Sequence, residues 1–155
     1  MTATTQTRRD VALRRLEAEV GVMLRRVRRV IAERAQLVHD GLQPSGYLVL
    51  THVADHGPLR GADLCAELDL DKGAVSRHVQ HLIDLGLIER HADPDDRRAT
   101  RLSVTDDGAQ RLVSVGRHRR EMLDRRLSGW ADSDIDDLVG LLSRYNATLD
   151  AARTD

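Results

Sequence analysis

Residues 68–108, LDLDKGAVSRHVQHLIDLGLIERHADPDDRRATRLSVTDDG, decide the fold of this chain. Asp71 is a good N-cap, since its carboxylate can accept hydrogen bonds from the free amides of a following helix, and Gly86 suits the left-handed stop at its end. After Gly86 come two short segments of β-type alternation, separated by the charged sequence ADPDDRRA at 92–99. This order predicts an amphipathic helix followed by a β-hairpin with a charged tip.

A shorter helix is predicted immediately before this stretch, over residues 60–68. Two helices separated by only three residues form a helix-turn-helix candidate, and the hairpin that follows gives the order of a winged helix. In that arrangement the second helix of the pair enters the major groove of DNA.

The second helix of the pair has one face suited to reading bases. If Val75, Val79 and Leu82 are buried, the opposite face presents short or hydrogen-bonding side chains. Arg77 can pair with a guanine edge and Gln80 with adenine. The candidate DNA-binding residues of this helix are Lys72, Gly73, Ala74, Ser76, Arg77 and Gln80. The alternative is an ordinary solvated helix face.

The hairpin tip offers a second, sequence-independent contact. Arg97 and Arg98 can reach the minor groove, where the potential is most negative. Asp96 and its acidic neighbours could repel phosphate, or one of them could hydrogen-bond back to an arginine and position it. Arg60, at the start of the preceding helix, is a candidate DNA contact or a merely solvated cation.

The flanking regions predict helices used for assembly. The chain has 155 residues, and a long amphipathic pattern runs from Asp10 to about Val38. Such a helix is longer than a small core covers, so part of its apolar face should meet another subunit. The predicted class is mainly α with a small β-hairpin: a winged helix-turn-helix region at 45–105 and dimerisation helices at 10–40 and 106–152.

The charge, the cysteine content and the motifs of the chain limit the classes of protein to which it can belong. The net charge is −1, yet residues 1–34 carry nine Arg against four acids, so charge is segregated along the chain. No apolar run approaches the roughly 20 residues that span a bilayer, and the single cysteine excludes an internal disulfide; both predict a cytoplasmic protein without a membrane partner. Residues 1–155 contain no HExxH, GxSxG, Walker or GxGxxG motif, so an enzyme is the weaker hypothesis.

The stretch 68–108 resembles the DNA-binding core of the MarR family of bacterial transcriptional regulators. The similarity lies in KGAVSRHVQHL, the GLIER link, DPDDRR at the tip and LSVTDDG before the next helix. The resemblance implies a homodimer on a pseudo-palindromic double-stranded DNA operator, commonly a repressor that a small molecule or oxidant releases. It also implies that Asp96 and Arg98 match the family's Asp-x-Arg pair, with Arg98 in the minor groove. No cofactor is implied.

The effector is less determined. His39, Tyr47 and His118 are candidates to line an effector crevice. Peroxide-sensing branches use a Cys near the start of the first helix, whereas Cys65 lies in the third and is interpreted as a small hydrophobe. Zinc-sensing branches use several His and Glu ligands on the first, second and fifth helices. His52 and His56 lie four apart on one helix face and His118 is on the fifth helix, but none matches that pattern individually, so the structural interpretation of these histidines is favoured and no metal site is predicted. Two alternatives stay open: a metal- or oxidant-responsive regulator of the same fold, and a dimeric interaction module that does not bind DNA.

Overall fold

The computed structural model describes the backbone of residues 2–96 and 98–151, and the side chains of residues 7–149 within those ranges. Its elements, in chain order, are α1 (Thr2–Val38), α2 (Pro44–His56), β1 (Leu59–Arg60), α3 (Gly61–Leu68), α4 (Lys72–Asp84), β2 (Ile88–Ala92), β3 (Thr100–Val104), α5 (Asp106–Leu127) and α6 (Asp132–Ala151). The helix pair α3 and α4 followed by the β2–β3 hairpin confirms the predicted winged helix-turn-helix.

The sheet has one strand more than the sequence predicted. Its three strands are antiparallel in the order β1-β3-β2, with Leu59 opposite Leu102 and Arg60 opposite Arg101. A two-residue strand is too short to show the alternation by which strands are recognised, so the sequence predicts no strand here and places Arg60 at the start of the helix that follows. The first helix likewise begins at Thr2, earlier than the predicted Asp10.

The core lies where α2, α3 and α4 meet the sheet and the end of α1. It is aliphatic: Leu50, Leu64, Leu82 and Leu87 are each 0% exposed. The buried face of α4 consists of Val75, Val79 and Leu82, as predicted. Because this face is fixed in the core, the opposite face of the helix is presented to solvent.

Two glycines and a threonine set the path from α4 through the sheet to α5. Gly86 has φ +70°, a conformation that glycine adopts without steric cost. The Thr105 hydroxyl donates to the Gly86 carbonyl at 2.7 Å and accepts from the Gly108 amide at 3.0 Å. Thr105 therefore caps α5 and ties its start to the end of α4.

The chain divides into two compact units, Met1–Val115 and Gly116–Asp155, with the boundary inside α5. The first contains the core, the sheet and the winged helix-turn-helix. The second comprises the rest of α5 and α6, where Leu123, Val139 and Leu141 are more than half exposed. Within the described residues, no helix combines the length and the apolar character needed to cross a membrane.

Candidate nucleic-acid interface

The start of α4 is held by its cap. Asp71 Oδ1 accepts a hydrogen bond from the Ala74 amide at 2.8 Å, and this bond lowers the pKa of the Asp71 carboxyl. The carboxylate therefore stays charged as a helix N-cap, where the helix dipole favours it. A Cβ at Gly73 would lie 3.0 Å from Asp71 Oδ1 and 3.5 Å from a terminal nitrogen of Arg77, so glycine leaves room for both groups.

The predicted reading face of α4 is exposed. Lys72, Gly73, Ser76, Arg77 and Gln80 are all in contact with solvent, while Ala74 is half-buried. Gln80 is exposed, but its side chain already makes a hydrogen bond within the helix: its amide nitrogen donates to Asp84 Oδ1 at 2.8 Å. To reach a base edge, Gln80 must break this intrahelical hydrogen bond. Arg77 has no such competing partner of opposite charge: among the described residues, no carboxylate oxygen lies within 4.0 Å of its guanidinium nitrogens.

The tip of the hairpin is a closed turn built by aspartates. The Asp95 amide donates to Asp93 Oδ1 and the Arg98 amide donates to Asp96 Oδ1, both at 3.0 Å. Arg98 itself is exposed at the tip, as predicted. Asp96 therefore contacts the backbone amide of Arg98 and shapes the turn. Arg97 lies outside the described residues.

Asp93 anchors the hairpin to the rest of the domain. It is 2% exposed, and its Oδ2 accepts from Arg60 Nε at 2.7 Å and from Arg101 Nε at 3.0 Å. The hydrogen bond from Arg101, followed by that from Arg60, holds the pKa of Asp93 well below its usual range, and the bond to Asp93 raises the pKa of Arg60. A carboxylate of the tip does position arginines, but the carboxylate is Asp93 and the arginines are Arg60 and Arg101.

Known proteins are similar to this chain in the region that contains the winged helix-turn-helix. Residues 40–99 match the model of the MarR family. The HTH-type transcriptional regulator YxaD of Bacillus subtilis is 29% identical over 131 residues, which cover 84% of this chain and 90% of YxaD. The winged helix-turn-helix region of the chain is therefore similar to that of the MarR family. The transcriptional repressor MdtR of the same organism is 30% identical over 89 residues, or 57% of each chain.

Solved structures agree on the fold of this chain. The structure of Streptococcus pneumoniae FabT in complex with DNA superposes with a TM-score of 0.75 at 18% identity, covering 90% of this chain and 98% of FabT. At that identity the likeness shows the fold alone. The fold of the chain is therefore that of the winged helix-turn-helix transcriptional regulators to which it is similar.

The three predicted effector residues lie in different environments. Tyr47 is 7% exposed and packs in the core of the first unit, and the Nδ1 atom of His39 accepts from the Gly41 amide at 3.0 Å. His118 is exposed on the second unit. Their role as an effector site stays a prediction.

A groove between α3, α4 and the sheet is a feature that the sequence did not predict. Its volume is about 610 Å³, its lining is mostly apolar, and Cys65, Lys72, Ser76 and Arg90 contribute to it. Cys65 is half-buried and packs against the core, as expected of a small hydrophobe. Arg90 lies exposed on β2, and no periodicity distinguished it from the other surface arginines.

Proposed function

We propose that this chain represses transcription as a homodimer that binds a pseudo-palindromic operator and releases it when a small molecule binds. The observation that carries the proposal is the pairing of an exposed, capped reading helix with an arginine-bearing hairpin fixed to the same domain through Asp93. Such an arrangement combines base contacts in the major groove with a backbone or minor-groove contact.

The two elements have separate roles. On α4, Ser76 and Arg77 face solvent and supply hydrogen bonds to base edges, while Lys72 contacts phosphate. Gly73 and Ala74 leave space for the duplex at the helix start. The hairpin supplies Arg98 to the minor groove, and Asp96 holds the backbone of the turn. Arg97 is proposed as a further DNA contact on the basis of the sequence alone. Arg60 donates its Nε to Asp93, so its role is to brace the hairpin near the duplex.

Exposed apolar side chains support the dimer. On α1, Leu13, Leu16 and Leu24 are each close to half exposed, and on α6 the exposed fraction of Val139 and Leu141 reaches 61%. Contiguous apolar surface of this kind on a regular helix marks an interaction site, and a second copy of the chain carries the same faces. Symmetry of the dimer then matches symmetry of the operator.

Ligand response requires a second state. An effector shifts operator affinity only if it binds the DNA-competent and DNA-incompetent arrangements differently. In a dimer, the separation of the two α4 helices, about 34 Å for successive major grooves, is the quantity that such an effector must change. The repressor role draws support from MdtR, a transcriptional repressor that is 30% identical over 57% of this chain.

Two measurements test the proposal. Fluorescence anisotropy with duplexes tiled across the DNA upstream of the gene should find one site bound at least about a thousandfold more tightly than scrambled DNA. Light scattering should give about twice 17.3 kDa. A dimer without any preferred site would support an interaction module instead, and a cooperatively folding monomer would overturn the homodimer.

A further inference from the structure

His52, His56 and Glu67 bring three potential ligand atoms together where the last turn of α2 faces α3. The ligand atoms of all three side chains lie within 4.8 Å of one another. We propose that these residues form a binding site for a divalent transition-metal cation, with Zn²⁺ the best match. The site goes beyond the DNA-binding function and does not depend on it.

The geometry of α2 supplies two of the ligands. His52 and His56 are four residues apart, so they project from the same face of the helix, and their ring centroids are 4.4 Å apart. Glu67 comes from the last turn of α3, with its Oε2 atom 2.5 Å from His52 Nε2. Two histidines and one carboxylate are the donor set of open zinc sites, which keep a fourth position for water.

The hydrogen bonds around the histidines favour metal binding by their outer nitrogens. His56 Nδ1 lies 3.2 Å from the His52 carbonyl oxygen, and when it donates there its Nε2 atom carries the free lone pair. Between His52 Nε2 and Glu67 Oε2 the cation replaces the hydrogen, and the His52 ring binds as a neutral imidazole with its proton on Nδ1. Bonds of about 2.0–2.2 Å to the metal then place neighbouring ligand atoms about 3.3–3.5 Å apart, within reach of side-chain rotation.

Charges near the site are balanced. His56 and Glu67 line a groove of about 340 Å³ that also contains Asp63, Arg60 and Arg101. The two arginines would disfavour a cation on their own, but both are ion-paired with Asp93. Asp63 and Glu67 contribute negative charge from α3, and the volume of the groove accommodates a water ligand.

The site was not predicted because its third ligand is remote in sequence. Two histidines four apart on a helix carry little information by themselves, whereas Glu67 joins them only through the packing of α3 on α2. The ligands also lie on the second and third helices, unlike the first, second and fifth helices that the resemblance to zinc-sensing branches implied. This proposal replaces the structural interpretation of His52 and His56.

Metal titration of the full-length, untagged protein tests the site. Isothermal titration calorimetry with ZnCl₂ should show one saturable site per chain, and His56→Ala and Glu67→Gln should each weaken it at least about tenfold. His91→Ala is the matched control, because His91 lies 3.4 Å from Glu89 in a similar pair and belongs to no three-ligand cluster among the described residues. Its affinity should equal that of the wild type.

Co²⁺ provides a second readout at the same atoms. Bound in place of Zn²⁺, it should give visible d–d absorption that His56→Ala abolishes. His52 is only 14% exposed, so its replacement can disturb folding, whereas His56 and Glu67 are exposed and their variants should keep the circular dichroism of the wild type. Wild-type protein without a saturable site, or variants that bind as the wild type does, would overturn the proposal.

Discussion

Arg60 Nε donates to the buried Oδ2 atom of Asp93 across 33 positions of the chain. The register of the sheet explains the need for this contact. Arg60 on β1 lies directly opposite Arg101 on β3, and like charges at opposed positions destabilise a sheet. Asp93, directly after β2, accepts from both arginines and places a negative charge between them that offsets their repulsion, so the hairpin is fixed to the strand that leads into α3.

Asp93→Asn should destabilise the protein at neutral pH, because the amide keeps the size of the side chain but removes its charge. The folded-state pKa of Asp93 is depressed, so its contribution to the free energy of unfolding is present above the unfolded pKa, about 3.9, and is lost as pH falls through the folded value. Urea unfolding of both proteins should show a stability difference that shrinks below about pH 4.

Asp95→Asn is the matched control for this comparison. Asp95 accepts from Arg101 at 3.2 Å, but its side chain is 80% exposed, and exposed pairs contribute little. Its unfolding curve should stay close to that of the wild type. A stability difference for Asp93→Asn that is constant down to about pH 2 would show that the loss does not come from the ionised carboxylate.

Arg77→Ala should reduce sequence discrimination. Arg77 projects from the reading face of α4, so its loss should cost roughly 1–3 kcal/mol on the preferred operator and much less on scrambled DNA. Titration of fluorescent duplexes at two salt concentrations measures both. Equal losses on the two duplexes would place the reading face elsewhere on the helix.

Arg98→Ala should instead weaken binding to all sequences. An arginine at the exposed hairpin tip contributes chiefly through charge, so its removal should also reduce the slope of log K against log salt by roughly one unit. The same two duplexes serve as the measurement. A loss confined to the operator would assign Arg98 to base recognition.

The sequence predicted the helices and the β2–β3 hairpin, but it predicted neither β1 nor the contacts between elements. Asp71, Gly86 and the buried face of α4 act locally, so their patterns predicted the cap, the stop and the exposed face correctly. The bonds of Asp93 join positions 60, 93 and 101, and no periodicity records which of several acids is buried. The same limit hid the proximity of Glu67 to His52, which depends on the packing of two helices.

Asp96→Ala decides between two roles of the tip carboxylate. Since Asp96 Oδ1 accepts from the Arg98 amide, its removal should loosen the turn and weaken DNA binding, to a lesser degree than Arg98→Ala. If the carboxylate acted mainly by repelling phosphate, the variant would bind more tightly. The sign of the affinity change on scrambled DNA separates the two roles.

Gly108→Ala should destabilise the protein by about 1–3 kcal/mol, the typical cost of inserting a methyl group into a packed site. A Cβ at Gly108 would lie 2.3 Å from the Leu87 carbonyl oxygen and 2.9 Å from Val104 Cγ1, and the same carbonyl accepts from the Thr105 amide at 3.1 Å. Relief of these contacts therefore requires the start of α5 to move away from the sheet.

Gly116→Ala is the control on the same helix. A Cβ at Gly116 meets nothing within 4 Å, so this variant should be neutral or stabilising, since alanine favours helix by up to about 1 kcal/mol. Urea unfolding of the two variants measures the difference, and equal stabilities would show that α5 accommodates the methyl group without displacement.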